Sequence, residues 1–319
     1  MCYSAMVEQK RKEYCRLHGV DIDTNEFLQL FNNRLDDPSI KICKAMELDF
    51  LDPGNDEERC IKADIDAFNA RQRAKWETEL FAQRKRLADA ERSLEVKETK
   101  KALEDHRIAS NKIEWYRGKL ADLGRTESMP ADSRIFPFWF APVMVMEAGT
   151  LVVKPMRYHC RPNGKPESYD RRYDGLYNAR RDNLEGFWRG LFGRQHAVLL
   201  ASSFYENVSR HRFEHRNLGP GEAESNVVLH FNPQAGKPML LACLWDRWQA
   251  PGKPDLLSFT AITDEPPPEV AAAGHDRCVV PLRQENLRAW LDPAGKDVKS
   301  IYALLDDRER PYYEHRMAA

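Results

Sequence analysis

The residues with the clearest chemical potential stand at the start of the sequence, where Cys2 follows Met1. If the methionine is removed, Cys2 carries a free α-amine and a thiol on one residue, and such a 1,2-aminothiol traps aldehydes. An α-amine has a reference pKa of about 7.7 to 8.0, so part of it is neutral and nucleophilic near pH 7. A cysteine near a chain end is otherwise an ordinary frayed residue. The interpretation therefore depends on which residues accompany Cys2.

Three further motifs accompany Cys2 in sequence order. They are Asn178-Ala179-Arg180, then Phe204-Tyr205-Glu206 after an apolar run, then Thr260-Ala261 followed by His275-Asp276-Arg277. Each motif is weak alone. In this order, and with a cysteine at position 2, they resemble the SRAP family, also called SOS response-associated peptidases or abasic-site processing proteins. The resemblance covers the first 20 residues and about 130–300, and it leaves 20–130 as an insertion.

The resemblance implies a reaction with damaged DNA. An abasic site in single-stranded DNA exists partly as a ring-opened aldehyde, with which the Cys2 amine would condense to a Schiff base. The thiol would then close a thiazolidine ring that links the protein covalently to the DNA. This chemistry requires no metal and no organic cofactor. Single-stranded DNA that contains abasic sites is therefore the expected partner.

The resemblance also assigns roles to residues around Cys2. Glu206 would lie close to the Cys2 amine and His275 near the sugar oxygen or the leaving phosphate, and both would move protons. Asn178 would orient Cys2 by hydrogen bonding. Without the resemblance, these three residues are typical of a strand-end surface carboxylate, a loop histidine and a turn asparagine.

Four residues are expected to bind DNA, namely Arg180, Arg181, Thr260 and Arg277. Arg180 resembles the family arginine that holds a phosphate in its bidentate fork. Thr260 would hydrogen-bond the substrate or the His275 loop, although a strand threonine is usually structural. We assign no metal site, because His211 and His215 have the spacing of one helix face but no cysteine or carboxylate partner.

Two positions depart from the family pattern. Tyr3-Ser4 stands where the family often has Gly-Arg, and Asn207 stands where a tryptophan commonly follows the glutamate. An arginine contact to phosphate is therefore lost or supplied elsewhere, and a stacking residue is removed.

The composition is that of a globular protein, with 319 residues, 42% of them hydrophobic and 31% charged. The sequence has no apolar run of about 18 residues and no secretory pattern, so we expect a cytoplasmic, nucleoid-associated protein without contact to a membrane. The seven cysteines form no CxxC pair. The net charge is −1, but residues 151–217 hold 13 Lys/Arg against 7 Asp/Glu. This basic segment is a candidate for phosphate contacts or, alternatively, an ordinary solvated rim.

The pattern of elements predicts an α+β fold with a mixed, mainly antiparallel β core, flanking helices and a long helical insertion. Apolar runs after Gly124 predict the strands, and residues 55–117, which contain no Gly or Pro, predict a long helix or a hairpin that folds back near 95–105. The expected units are a catalytic body (1–19 and 130–300), the insertion (20–129) and a C-terminal tail (301–319). We expect a monomer whose insertion is available to bind another protein.

Two other functions stay open at this stage. The same Cys2, Glu206 and His275 would suit a cysteine-type, self-processing peptidase. A non-catalytic module that binds nucleic acid or protein through the basic segment or the insertion is the third interpretation.

Overall fold

The computed structural model describes residues 3–234 and 236–318. The helices are α1 (Arg11–His18), α2 (Thr24–Asp36), α3 (Lys44–Leu48), α4 (Asp56–Val96), α5 (Lys100–Gly124), α6 (Tyr169–Arg172), α7 (Arg210–Phe213), α8 (Pro268–Ala272), α9 (Leu287–Leu291) and α10 (Val298–Asp306). The strands are β1 (Ser4–Val7), β2 (Asp21–Ile22), β3 (Lys41–Ile42), β4 (Arg134–Ile135), β5 (Trp139–Glu147), β6 (Thr150–Tyr158), β7 (Asn178–Arg180), β8 (His196–Ser209), β9 (Asn226–Pro233), β10 (Met239–Trp248), β11 (Leu256–Asp264), β12 (Cys278–Val279), β13 (Pro281–Leu282) and β14 (Tyr313–Met317).

Five of the long strands close into a barrel. Strand β10 pairs with β11, β11 with β6, β6 with β5, β5 with β8, and β8 with β10 again. Only the β11–β6 pair in this ring is parallel. The prediction of an α+β fold with a mixed, mainly antiparallel core is confirmed.

Strand β8 connects the barrel to the functional end of the molecule. Along residues 197–201, alternate side chains enter two different hydrophobic clusters, one inside the barrel and one under the helices. Because side chains alternate between the faces of a strand, burial on both faces produces a continuous apolar run. The second half of β8 pairs with β1 on one side and β9 on the other, and it carries Glu206.

Helices α4 and α5 form a long antiparallel hairpin. Helix α4 begins where the Asn55 side chain accepts from the Glu58 backbone N–H (2.8 Å), and α5 begins at a matching cap on Thr99. At 1.5 Å per residue, the 41 residues of α4 span about 60 Å. The chain folds back between Val96 and Lys100, inside the interval that the sequence analysis names.

The base of the hairpin is anchored to the rest of the molecule. Ile61 and Ile65 of α4 enter the hydrophobic cluster under the helices. The Arg11 guanidinium binds Glu58 (2.8 Å), and Lys44 Nζ donates to the Leu123 carbonyl at the end of α5 (3.1 Å). These contacts fix the direction in which the hairpin leaves the sheet.

Segments at the expected unit boundaries take part in the same sheet. Strand β2 pairs with β6 and β3 with β5, although both lie inside the expected insertion 20–129. Strand β14 lies in the expected tail 301–319 and pairs with β9. The division of the chain into body, insertion and tail stays a prediction.

Candidate functional site

A cleft of about 370 Å³ opens where β1, β7 and β8 end near the loop that contains His275. Its lining residues are Tyr3, Tyr177, Arg180, Asn207, His275, Asp276 and Arg277. The lining therefore combines two tyrosine rings, two arginines and a histidine. Two of the sequence motifs supply most of this lining, since Tyr177 directly precedes Asn178 and His275 begins the third motif.

Glu206 is fully buried beside the cleft. The pairing of β1 with β8 places it there, because Ser4 lies opposite Tyr205 and the Tyr3 backbone N–H donates to the Tyr205 carbonyl (3.0 Å). Burial raises the pKa of Glu206 to about 8, while hydrogen bonding from the Tyr3 backbone opposes that rise. Near neutral pH its carboxyl group is therefore mostly protonated and is able to donate a proton.

His275 is the neighbour of Glu206 in the cleft. Its Nε2 lies 3.5 Å from Glu206 Oε2, and its Nδ1 lies 2.8 Å from the Arg277 carbonyl oxygen. The short contact assigns the proton to Nδ1, which donates to that carbonyl and leaves Nε2 as an acceptor that faces the carboxyl group. Burial lowers the pKa of His275 to about 4. Near neutral pH, the Glu206 carboxyl group is therefore mostly protonated, whereas the His275 ring 3.5 Å away is mostly neutral.

Asn178 and Thr260 lie on neighbouring strands behind the cleft. Strand β7 pairs in parallel with β11 so that Asn178 lies opposite Ala261, and both Asn178 and Thr260 are buried. Thr260 does not line the cleft. Since side chains alternate along β11, Thr260 points to the opposite face from Ala261, which packs inside the barrel. Thr260 therefore lies away from the cleft lining.

The two cleft arginines share one carboxylate. Arg180 binds Asp182 through Nε (3.2 Å) and Nη2 (2.8 Å), and Arg277 Nη2 lies 3.5 Å from the same carboxylate. The Arg180 and Asp182 side chains are both more than half exposed. Such an exposed ion pair is weak. The Arg277 side chain is mostly buried, so only the Arg180–Asp182 pair is of this exposed kind.

Arg181 points to a different part of the molecule. It binds Asp264 (3.1 Å) and Asp306 (2.6 Å), and it lines a separate cavity together with Arg308. The structure therefore brings Glu206, His275, Arg180 and Arg277 together around one cleft and places Arg181 and Thr260 outside it. The catalytic and DNA-binding roles of all these residues stay predictions.

Several features of the cleft have no motif in the sequence. Asp182 follows Arg180 by two residues, and only the fold shows that it also meets Arg277. Tyr3 and Tyr177 are visible in the sequence only as neighbours of Cys2 and Asn178. Met1 and Cys2 lie outside the described residues, so the predicted position of Cys2 beside Glu206 is tested by experiment alone.

The described residues also bear on metals and membranes. Across residues 3–234 and 236–318, no group of three His, Cys, Asp or Glu side chains is arranged to hold a metal ion. No helix in the described part of the chain has the length and apolar character needed to span a bilayer.

A comparison with protein families finds one matching model. The family is described as "SOS response associated peptidase (SRAP)", and its model matches residues 95–318. The match thus includes β4 to β14, the cleft residues from Tyr177 to Arg277, and α5 of the hairpin.

The individual relatives have low sequence identity to this chain. The chain is 27% identical over 147 residues to proteins named "Abasic site processing protein YoqW" from Bacillus subtilis (strain 168) and from Bacillus phage SPbeta. That alignment covers 45% of this chain and 58% of each relative's length. Among solved structures, a protein from Bordetella bronchiseptica is similar with a TM-score of 0.46 and 20% identity, over 59% of this chain and 87% of that one.

Proposed function

The chain belongs to the SRAP family, and from that premise we propose that it captures abasic sites in single-stranded DNA as a covalent thiazolidine on Cys2 once Met1 has been removed. In this role it acts in the response to DNA damage, in the cytoplasm at the nucleoid. The name of the Bacillus relatives supports a role at abasic sites. The observation that carries the proposal is the buried Glu206–His275 pair at the cleft that Tyr3 lines.

The first half of the proposed reaction forms an imine. The neutral Cys2 amine adds to the C1′ aldehyde of the ring-opened sugar and gives a carbinolamine. The protonated Glu206 carboxyl group donates its proton to the carbinolamine oxygen, which leaves as water, and the C=N bond forms as a protonated imine beside the Glu206 carboxylate. A carboxyl group that is uncharged near neutral pH is suited to this donation, as the raised pKa of Glu206 indicates.

The second half closes the ring. The Cys2 thiol gives its proton to the Glu206 carboxylate, its sulfur adds to the carbon of the protonated imine, and the nitrogen takes up the π electrons of the C=N bond and becomes the neutral ring amine. The sum is one aldehyde and one aminothiol converted to one thiazolidine and one water. His275 would accept and return a proton during sugar ring-opening, a role that its Nε2 supports by lying 3.5 Å from Glu206 Oε2. Reversal of the crosslink would use the same carboxyl group as the acid.

Charge around the cleft supports a DNA substrate. Arg180 and Arg277 line it. The segment 151–217, which contains Arg180, carries a surplus of six positive charges, although Arg157 and Arg161 of that segment bind Asp170 away from the cleft. Phosphates that bind these arginines would fix the register of the strand, while the abasic sugar, which lacks a base, enters the cleft. We infer that the missing base is what lets the sugar reach the Glu206–His275 pair.

The test is a denaturing gel after incubation with a single-stranded oligonucleotide that contains one uracil and has been treated with uracil glycosylase. We expect a band that survives denaturation, that is absent with the untreated oligonucleotide, and that disappears in Cys2→Ala. Intact-mass measurement of the same preparation establishes that Met1 has been removed. If protein with a free Cys2 amine forms no adduct, the proposal is wrong.

The same experiment separates the two other interpretations. Salt-sensitive binding to intact DNA that is unchanged in Cys2→Ala, without a covalent product, would indicate a non-catalytic binding module. Retention of Met1 in Glu206→Ala, together with its loss in the parent, would indicate self-cleavage by a peptidase. Self-cleavage is compatible with the crosslinking proposal, since it produces the free amine that the proposal requires.

A further inference from the structure

Arg134 differs from the other arginines of the described chain in its surroundings. It is partly buried, and yet no carboxylate among residues 3–234 and 236–318 lies within 4.0 Å of its guanidinium group. Every other buried or partly buried arginine in these ranges has such a partner, for example Arg11 with Asp49 (2.7 Å). A cation that is partly removed from water without a counter-ion is costly, so its position calls for an explanation.

The contacts of Arg134 hold its guanidinium group in one orientation. Its Nε donates to Ser4 Oγ (3.0 Å), its Cζ lies 3.5 Å from the centre of the Tyr205 ring, and the Phe136 ring is 4.8 Å away. Its two Nη groups contact no hydrogen-bond acceptor in the described part of the chain. The fork of the guanidinium is therefore positioned by its stem and by two aromatic rings while its outer donors stay unused.

The sheet register places this arginine on one face together with a second arginine, Arg316, and with Glu314. Arg134 lies opposite Met6 of β1, Tyr205 lies opposite His230 of β9, and His230 lies opposite Arg316 of β14. Residues that pair across strands share one face, so both arginines flank the stacked rings of Tyr205 and His230, whose centres are 4.2 Å apart. Burial, assisted by the two arginines, lowers the pKa of His230 to about 4, which is consistent with a local surplus of positive charge.

This face adjoins the cleft through a single side chain. Tyr3 lines the cleft, and its ring meets the Phe136 ring edge to face at 5.7 Å. The path Tyr3, Phe136, Arg134 thus leads from the cleft on the side of β1 and β4, whereas Arg180 and Arg277 lie with the loops of the β7 side. Proteins that bind single-stranded nucleic acid commonly stack its bases on aromatic rings and bind its backbone with neighbouring basic groups.

We propose that Arg134 is a phosphodiester-binding residue that holds single-stranded DNA on the β1–β4 side of the cleft, with Tyr3 and Phe136 as stacking faces for neighbouring bases. The proposal rests on the proposed function for the choice of DNA as the ligand. Arg134 Nη groups donate to phosphate oxygens, which supply the negative charge that the protein itself does not place there. Arg180 and Arg277 bind the strand on the other side, so the abasic sugar is held between two phosphate contacts.

The experiment measures binding of a fluorescent, intact single-stranded oligonucleotide by anisotropy at several salt concentrations. We expect Arg134→Gln to weaken binding about tenfold at low salt and to reduce the slope of log K against log salt by about 0.7, the value for one phosphate contact on a single strand. Arg134→Lys retains the slope but loses part of the affinity, because it keeps the charge and lacks the fork. The matched control is Arg84→Gln on α4, which removes an exposed arginine without an ion pair and leaves both quantities unchanged.

Two results would overturn the proposal. One is equal affinity and salt slope in Arg134→Gln and Arg84→Gln, and the other is a lower melting temperature in Arg134→Gln with unchanged DNA binding, which would make Arg134 purely structural. The abasic oligonucleotide separates this outcome from failure of the proposed function. If the parent forms no adduct but Arg134→Gln still weakens binding of intact DNA, the crosslinking proposal fails and the Arg134 proposal stands. If adduct forms and Arg134→Gln binds intact DNA like the parent, the Arg134 proposal fails and the crosslinking proposal stands.

Discussion

The cleft and the α4–α5 hairpin are both rich in charged residues but use them in opposite ways. On the hairpin, exposed pairs three residues apart, such as Arg107 with Glu104 and Arg117 with Glu114, lie on solvated faces. At the cleft, Glu206 has no exposed surface and faces His275 at 3.5 Å. Burial shifts the pKa of a carboxyl group, whereas a solvated pair changes little. The comparison shows that the ability of a charged side chain to transfer protons depends more on its burial and neighbours than on how many charged residues a region contains.

The largest expected effect separates these two regions directly. Glu206→Gln keeps the size of the side chain and removes the proton that the proposed dehydration step needs, so we expect the rate of adduct formation to fall by about 10²- to 10⁴-fold. Glu114→Gln on α5 makes the same chemical change on a solvated face and leaves the rate unchanged. Single-turnover kinetics on an abasic oligonucleotide measure both. Equal rates for the parent and Glu206→Gln would remove the chemical distinction between cleft and hairpin.

The pH dependence of stability sharpens the same comparison. The folded-state pKa of Glu206, about 8, lies above its ordinary value. Its contribution to the free energy of unfolding is therefore fully present below about pH 4.5 and is lost as pH rises toward 8. The folded-state pKa of His275, about 4, lies below its ordinary 6.5, so its contribution is lost as pH falls from 6.5 toward 4. Between pH 6.5 and 8, the titration of Glu206 therefore determines how the stability contributed by this pair changes with pH.

We accordingly expect the melting temperature of the parent to decrease between pH 6.5 and 8, and that of Glu206→Gln to decrease less. Each kcal/mol of lost stability corresponds to about 1–2 °C for a protein of this size. Glu114→Gln, as the matched hairpin variant, should follow the parent at every pH. Thermal melts in one buffer series test this. Parallel curves for the parent and Glu206→Gln would show that the Glu206 carboxyl group titrates as it does in the unfolded chain.

A smaller effect is expected from the charges at the cleft mouth. Asp182→Asn releases Arg180 and Arg277 from their shared carboxylate and should strengthen binding of intact single-stranded DNA about threefold, since an exposed pair contributes at most about 1 kcal/mol. Arg277→Gln should weaken binding by a similar or larger factor. Anisotropy titrations give both values. Weaker binding by Asp182→Asn would mean that Asp182 positions the arginines for phosphate and does not compete with it.

Most of the fold follows from local patterns in the sequence. The apolar runs after Gly124 predict strands, and the run at 197–201 lies in β8, where it is buried on both faces. The stretch 55–117, without Gly or Pro, predicts the long helices, and α5 continues beyond that stretch through Gly118 to Gly124. The short strands β2, β3 and β14 have no such pattern. They are defined by their pairing with β6, β5 and β9, which is a property of the folded chain.

The cleft divides in the same way. Glu206, His275 and Arg180 belong to the motifs that carry the family resemblance, and the resemblance assigns them proton transfer and phosphate binding. Asp182 and Arg134 do not, because their significance lies in contacts with residues far along the chain, such as Arg134 with Ser4 and Tyr205. Arg181 is the converse case. Its sequence neighbour lines the cleft, but successive residues after a strand point in different directions, and Arg181 binds Asp264 instead.

The smallest expected effect lies on the hairpin itself. Arg86 of α4 binds Asp105 of α5 at 2.5 Å, with both side chains roughly one third exposed, so Asp105→Asn should lower the free energy of unfolding by at most about 1 kcal/mol. Arg117→Ala, which breaks a pair within one exposed helix face, should lower it by about 0.5 kcal/mol or less. Neither variant should alter adduct formation, because no hairpin residue lines the cleft. Denaturant titrations and the abasic-oligonucleotide assay measure the two quantities side by side. A loss of adduct in either variant would mean that the hairpin charges guide DNA to the cleft. The hairpin and the cleft would then no longer differ in whether their charged residues take part in adduct formation.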